Sequence, residues 1–131
     1  MSSNLTRQTL FNCCDRDNVM VLRLTADLRA CHYHEKQEEY NQLMRQLCDR
    51  TSPRLLFDLS ECRILDSVTV GIMLALSKAA IRENGAVGLS SVSARIERIL
   101  SRLMLLEPRH RQLTWDVYPD VDQAIVRLSA L

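Results

Sequence analysis

Short apolar runs alternate with stretches of helical apolar spacing along most of this chain. Val19 to Leu24 is an apolar run with a β-branched bias, and it follows a turn-like polar cluster at residues 15–18. Together with Leu10 to Cys14, this run predicts a β-hairpin. Three further apolar runs predict strands: residues 54–59, 86–89 and 113–117.

Between these strands the apolar residues recur at helical spacing. From about Glu35 to Asp49 one stripe is apolar and the opposite side is charged. A second helix, from about Ser67 to Glu83, is apolar around much of its circumference and is predicted to end at Asn84-Gly85. Two later stripes predict two more helices, the first capped by residues 91–93: Ile96, Ile99, Leu100 and Leu103, then Val121, Ala124, Ile125 and Leu128.

The predicted order of elements is two strands followed by α, β, α, β, α, β, α. Strands separated by single helices need crossover connections, which favour a largely parallel sheet. The sequence therefore predicts an α/β fold, a single domain over residues 1–131 with a mostly parallel mixed sheet of about five strands and about four helices packed on it. Residues 1–9 are polar and uncapped, so we expect a loose N-terminus.

Composition and charge narrow the class of protein. Of the 131 residues, 47% are hydrophobic and 25% are charged, which is typical of a soluble globular protein. The formal net charge is +1, so bulk attraction to nucleic acid or to anionic lipid is not expected. No apolar run approaches the ~18–20 residues that a transmembrane helix needs, so direct membrane insertion is not expected either.

The cysteines indicate a reducing compartment. There are five, with no CxxC spacing and no secretion signal, so we expect reduced thiols in a cytoplasmic protein. Cys48 and Cys62 lie in apolar surroundings, where cysteine usually behaves as a small hydrophobic residue. Too few clustered ligands are present for a metal site, and no cofactor is expected.

Motifs of catalysis are missing from the sequence. It has no GxSxG elbow, no phosphate-binding loop, no glycine-rich dinucleotide turn and no paired-carboxylate motif, and it contains only three glycines. We therefore expect a protein that is not an enzyme.

The segment from Leu55 to Gly71 is the most informative part of the chain. It predicts a buried strand, a short connector and a helix that starts at Asp66-Ser67. A carboxylate and two hydroxyls, those of Ser67 and Thr69, are thereby placed at a helix N-terminus, where unpaired N–H groups and the helix dipole favour negative charge. Such a place suits phosphorylation, capture of an anion or docking of a partner, and a plain capping role worth about 1 kcal/mol is an equal alternative.

The order of the elements and several motifs together resemble the STAS domain family, found in bacterial anti-sigma factor antagonists and in the tails of sulfate transporters. The resemblance extends from about Val19 to Leu128, and the order and spacing of its motifs make the match. The motifs are Phe57-Asp58-Leu59-Ser60, Leu65-Asp66-Ser67, Gly85-Ala86-Val87-Gly88-Leu89, the helix from Arg95 to Leu106, and Val117-Tyr118-Pro119-Asp120-Val121-Asp122-Gln123-Ala124.

Two departures from the family pattern concern the partner-binding surface. In the antagonists the aspartate is followed by Ser-Ser-Gly, and the second serine accepts the phosphate. Here Val68 occupies the acceptor place and Thr69 the glycine place. Arg29 stands where many antagonists have an acid that faces the kinase partner.

The resemblance implies a surface for a protein partner, with an anti-sigma factor kinase as the first candidate. A homodimer is an alternative that the sequence leaves open. Ser67 and Thr69 remain as candidate phospho-acceptors near Val68, which cannot accept phosphate. The predicted partner-binding residues are Asp27, Leu28, Arg29, Leu65, Asp66, Ser67, Val68, Thr69 and Ile72.

The function that this sequence predicts is a non-catalytic protein–protein interaction module of the STAS type. It would act in bacterial signalling and transcription regulation, like an anti-sigma factor antagonist that lacks the usual phospho-acceptor serine. Two alternatives stay open at this point. One is a phosphorylation-independent STAS subunit of a stress-sensing or lipid-transport ABC assembly, and the other is a small domain that binds an anion or a nucleotide.

Overall fold

A computed structural model describes residues 11–24, 33–102 and 115–131, except for the side chains of residues 33–36. The order of the strands and helices in this part is the one predicted from the sequence. The elements are β1 (Phe11–Arg16), β2 (Val19–Leu24), α1 (Tyr33–Cys48), β3 (Arg54–Asp58), α2 (Ser67–Arg82), β4 (Ala86–Ser90), α3 (Ala94–Arg102), β5 (Asp116–Tyr118) and α4 (Val121–Ser129).

The strands form one five-stranded mixed sheet in the order β1-β2-β3-β4-β5. β1 is antiparallel to β2, and each later neighbouring pair is parallel. A helix follows each parallel strand in the chain, as crossover connections require. The predicted α/β architecture is therefore confirmed, while the predicted loose terminus at residues 1–9 lies outside the described residues.

The predicted β-hairpin is present, and its turn explains its length. Asp17 and Asn18 form a two-residue connection with φ angles of 52° and 68°. Both angles are left-handed, as a type I′ turn requires, and Asp and Asn tolerate that conformation better than most residues. Because this turn uses only two residues, β1 extends to Arg16 instead of ending at Cys14 as predicted.

The two faces of the sheet carry separate cores. Alternate residues of β2 and β3 point to opposite faces, as the pleat of a strand dictates. The larger core lies under α1, α2 and α3 and includes Leu22, Phe57, Met73 and Ile96, all fully buried. The smaller core lies under α4, where Ile125 packs with residues of β2 and β3.

The C-terminal end of α2 is fixed by backbone geometry. The helix ends at the cap residue Glu83, and Asn84 has a φ of 63°. The N–H of Asn84 donates to the carbonyl of Ile81 (3.0 Å) and the N–H of Gly85 to that of Ala80 (2.8 Å), which is the Schellman pattern. The prediction that α2 ends at Asn84-Gly85 is confirmed, with Asn84 as the left-handed residue.

Two details of the sequence prediction are wrong. β5 covers Asp116–Tyr118, so it begins after Trp115 and extends one residue past the predicted end at 117, while residues 113 and 114 lie outside the described part. Cys48, at the end of α1, is exposed, so it does not pack as a small hydrophobic residue, whereas Cys62 is buried as predicted.

Candidate functional site

The start of α2 is held in place by the connector that leads to it from β3. The backbone N–H of Ser60 donates to Asp58 Oδ1 (3.0 Å), and the N–H of Cys62 donates to the carbonyl of Leu59 (3.1 Å). Leu59, Cys62 and Leu65 are buried in the larger core. The connector is therefore anchored by an apolar side chain at every third position, and the start of α2 has a fixed position at the edge of that core.

Asp66 caps α2 in the manner expected of an aspartate at this position. Its backbone is extended (φ −92°, ψ 169°), and its Oδ1 accepts the N–H of Thr69 at 2.7 Å. Leu65 and Val70, which flank the cap, are both buried in the larger core, the arrangement of a hydrophobic staple. The carboxylate thus satisfies one of the N–H groups that a helix start leaves without an intrahelical partner.

Part of the first two turns of α2 faces outward. Ser67 and Gly71 are exposed, Val68 is 37% exposed, and Ile64 in the connector is 52% exposed. A Cβ atom built on Gly71 would meet no heavy atom within 4 Å. We call the residues Ile64, Ser67, Val68 and Gly71 the α2 patch. It is a small surface of apolar side chains and one hydroxyl beside the capped helix end.

Most of the other predicted partner-binding residues are not part of the α2 patch. Thr69 is completely buried and Leu65 is only 7% exposed, so neither offers a surface to a partner, and Ile72 is half-buried. The prediction that Thr69 is a phospho-acceptor does not fit the fold, because its hydroxyl is enclosed and a kinase cannot reach it. Asp27, Leu28 and Arg29 lie outside the described residues.

The burial of Thr69 has a further physical cost. Its Oγ1 is buried and has no hydrogen-bond partner among the described residues. A buried hydroxyl without a partner destabilises the fold, because it has lost water without a replacement. Thr69 is buried despite this cost because the helical spacing of α2 places it on the same buried side as Met73, Leu76 and Ala80.

Sequence reasoning missed two members of the α2 patch, Ile64 and Gly71. Ile64 precedes the buried Leu65, and no periodic pattern in a connector tells which of two adjacent apolar residues faces outward. Gly71 lies inside a helix, where glycine costs about 1 kcal/mol relative to alanine. That cost was the available signal for Gly71, since a glycine inside a helix is unfavourable unless packing or function calls for it.

The connector between β3 and α2 takes part in one exposed ion pair and contains one buried thiol. Arg23 of β2 and Glu61 form an exposed ion pair (Nη1–Oε2 3.6 Å). Cys62 Sγ donates to the carbonyl of Ile64 (3.4 Å), and burial raises the pKa of this thiol to about 11. The thiol is therefore protonated at neutral pH and behaves as part of the core rather than as a nucleophile.

The described residues hold no group of three or more histidines, cysteines or acids that could bind a metal ion. Within the same part of the chain, no helix combines the length and the apolar character needed to span a membrane.

Comparison with known proteins identifies the family to which this chain belongs. A family model described as "STAS domain" matches residues 12–124. A sequence comparison with curated proteins finds no significant match.

Several solved structures share the fold at low sequence identity. An anti-sigma-factor antagonist (STAS) domain protein from Planctomyces limnophilus superposes with a TM-score of 0.74 at 16% identity, covering 91% of this chain and 97% of that one. An anti-sigma factor antagonist from Mycobacterium paratuberculosis gives 0.67 at 21% identity, covering 90% and 92%. A chain of the stressosome, a signal integration and transduction hub, gives 0.68 at 15% identity, covering 91% and 96%.

Proposed function

Because the chain belongs to the STAS domain family, we propose that it is a non-catalytic protein-interaction module, a bacterial regulator resembling the anti-sigma factor antagonists. Its partner would be another protein, bound through the α2 patch. An anti-sigma factor kinase is the first candidate for that partner.

The observation that supports this proposal is the outward-facing start of α2. Val68 exposes apolar surface one turn before Gly71, whose missing side chain leaves room for close approach of another backbone, and Ile64 is exposed in the connector before the helix. Apolar side chains exposed together at a fixed helix end favour association with another protein. The carboxylate of Asp66 is engaged in capping, so its contribution to binding would be to hold this surface rigid.

The proposal does not need phosphorylation at the family's acceptor position. Val68 has no hydroxyl, and Ser67 is the exposed hydroxyl beside it. A phosphate on Ser67 would be tolerated by the helix N-terminus but would add almost two negative charges to an apolar contact surface. Incubation with ATP and a cognate kinase is therefore expected to leave either no phosphate or phosphate on Ser67 alone, as peptide mass spectrometry would show.

A matched pair of charge substitutions tests the binding surface. The full chain, tagged and used as bait in an extract of its native host, is compared with Val68→Glu and Val126→Glu. Val126 is 67% exposed on α4 and serves as the control, because the chemical change is the same and the place is different. We expect Val68→Glu to reduce capture of the specific partner at least tenfold and Val126→Glu to leave it unchanged. Equal capture by both variants would contradict the proposal.

Ser67→Glu separates binding from stability at the same place. A carboxylate at a helix N-terminus is compatible with the dipole, so the free energy of unfolding should change by less than about 0.5 kcal/mol. Partner binding should fall strongly, because the charge enters the α2 patch. Binding equal to that of the unmodified chain would count against the patch as the contact surface.

The identity of the captured protein decides the role within the family. A kinase-like anti-sigma factor would support the antagonist role. An ATPase or a membrane permease would replace it with a subunit role in a transport assembly, and further STAS proteins would replace it with a role in a stress-sensing assembly.

A further inference from the structure

β1 is an edge strand of the sheet, and among the described residues no strand pairs with its outer side. The sheet order places β1 at one end, next to β2 alone. The five residues from Asn12 to Arg16 are all exposed. An edge of this kind is a template on which another strand can pair.

The turn geometry shows which backbone groups face outward. In a hairpin with a two-residue turn, the residues that flank the turn exchange backbone hydrogen bonds, and every second pair along the strands does the same. Arg16↔Val19 is the flanking pair, so Arg16, Cys14 and Asn12 bond towards β2. The N–H and C=O groups of Phe11, Cys13 and Asp15 therefore point away from the sheet.

One contact limits how much of this edge is open. The N–H of Phe11 donates to Glu39 Oε2 of α1 at 2.7 Å, so that end of the edge is already covered. For the backbones of Cys13 and Asp15, no hydrogen bond on the outward side is found within residues 11–24, 33–102 and 115–131. The open part of the edge is therefore the segment centred on Cys14.

We propose that β1 pairs with β1 of a second copy of this chain, antiparallel and about a two-fold axis at Cys14. In this register Cys13 exchanges N–H···O=C bonds with Asp15 of the second copy, and Asp15 does so with Cys13 of the second copy. The outward N–H and C=O groups of Cys13 and Asp15 are then used, and the bond from the Phe11 N–H to Glu39 is left undisturbed. An axis at Cys13 would direct the partner strand onto Phe11, where Glu39 occupies the N–H.

The side chains are compatible with this register. Asn12 lies opposite Arg16 of the second copy, so an amide oxygen faces a guanidinium. No two like charges lie directly opposite each other in this register. Asp15 carries an ion pair with Arg50, and Arg16 one with Asp122 (2.9 Å), so the charges on the strand are balanced within each copy. Cys14 directly faces Cys14 of the second copy as a non-hydrogen-bonded pair, which brings Cα atoms to about 4.5 Å.

A single strand pair buries much less than the ~1,600 Å² of a standard interface. We therefore expect a dimer that dissociates on dilution. Sedimentation of the full chain over a range of concentrations should show a mass that rises from 15.1 kDa towards twice that value. A mass of one chain at every concentration would overturn the proposal and would leave the edge to an extended segment of a different protein.

Proline at position 13 tests the edge without touching the hairpin. Cys13→Pro removes an outward N–H that β2 does not use, and proline is tolerated on edge strands in this orientation. Cys13→Ala is the matched control, because it removes the same side chain and keeps the N–H. We expect Cys13→Pro to be monomeric with an unchanged circular dichroism spectrum, and Cys13→Ala to dimerise like the unmodified chain. Equal dimerisation of both variants would overturn the proposal.

Cross-linking gives a readout that does not depend on the proline variant. In a chain with Cys13, Cys31 and Cys48 changed to serine, added copper-phenanthroline oxidant should join two chains through Cys14. The control keeps the exposed Cys48 and carries Cys14→Ser instead, and it should give at least tenfold less cross-linked dimer. Similar cross-linking in both would place the contact elsewhere and overturn the register.

Discussion

At the scale of single residues, the candidate site is built from side chains that serve the fold first. Asp66 caps α2, Leu65 and Val70 pack beside the cap, and Cys62 ties the connector to the core. Residues that lie between or just after these anchors, such as Val68 and Gly71, face outward. The same short segment therefore has a structural half and an accessible half, and substitutions in each half should affect different measurements.

Replacing the cap residue Asp66 measures how much the structural half contributes to the free energy of unfolding. Asp66→Ala removes the acceptor that Thr69 N uses at 2.7 Å, and we expect a loss of about 1 kcal/mol, within the usual 0.5–2 kcal/mol for such caps. Asp66→Asn keeps an acceptor oxygen and should cost less than half as much. Urea unfolding followed by circular dichroism gives both values. An alanine variant as stable as the unmodified chain would show that the cap contributes nothing.

Cys62 predicts a pH dependence with a definite sign. Burial raises the pKa of its thiol from an ordinary value near 9 to about 11, so the folded state favours the protonated form. Its contribution to stability is fully present below about pH 9 and is lost as the pH rises towards 11, since the unfolded chain then releases the proton more readily. The unfolding midpoint should fall over this range, and it should fall less in Cys62→Ala.

Thiol labelling checks the same property directly. At pH 8 iodoacetamide should modify the exposed Cys14 and Cys48 well before Cys62, as read by peptide mass spectrometry. Labelling of Cys62 as fast as that of Cys48 would contradict the assigned burial.

At the scale of elements, the prediction from sequence succeeded where the signal was local. The start of α2 follows from Asp66, three residues before the N–H that it accepts, and the end follows from Asn84-Gly85. The outward face of α2 could not be predicted, because apolar residues surround most of the helix. Polarity alone would place Thr69 outside and Val68 inside, and the packing of α2 on the sheet does the reverse. That choice depends on long-range contacts that no window of sequence contains.

Two glycines near α2 should respond in opposite ways to the same substitution. In Gly85→Ala the new Cβ would clash with the carbonyl oxygen of Pro53, which is backbone and cannot move aside cheaply. We expect a loss of at least about 2 kcal/mol. In Gly71→Ala the Cβ enters open space on a helix, so a gain of about 0.5–1 kcal/mol is expected from helix propensity. Chemical unfolding of both variants measures this, and changes of the same sign would contradict the described positions.

At the scale of the whole molecule, the larger core joins elements that are far apart in the chain. Three aromatic rings form a row through this core. The ring centroid of Phe57 in β3 lies 6.1 Å from that of Phe11 in β1 and 6.3 Å from that of Trp115, the residue before β5. Trp115 also donates its indole N–H to Ser77 Oγ of α2 at 2.9 Å, and Ser77 donates onward to the carbonyl of Met73 at 2.7 Å. The helix that carries the α2 patch is thereby linked to the approach to β5.

Removing the hydroxyl of Ser77 tests whether this link matters for the stability of the whole fold. Ser77→Ala leaves the buried indole N–H without its acceptor, which should lower the free energy of unfolding by about 1–3 kcal/mol. Ser129→Ala is the control, because that hydroxyl also bonds a backbone carbonyl (3.3 Å) but is exposed, and it should change little. The fluorescence of the single tryptophan follows unfolding in both variants.

A double-mutant cycle with Trp115→Phe then isolates the hydrogen bond from the packing of the indole ring. If the bond contributes as described, removing Ser77 Oγ costs less once the indole N–H is gone, because no donor is left without a partner. We expect a coupling energy of about 0.5–3 kcal/mol between the two positions. Strictly additive effects would mean that α2 and the segment before β5 are held together by ring packing alone. In that case the polar link between them would be a consequence of the fold rather than one of its supports.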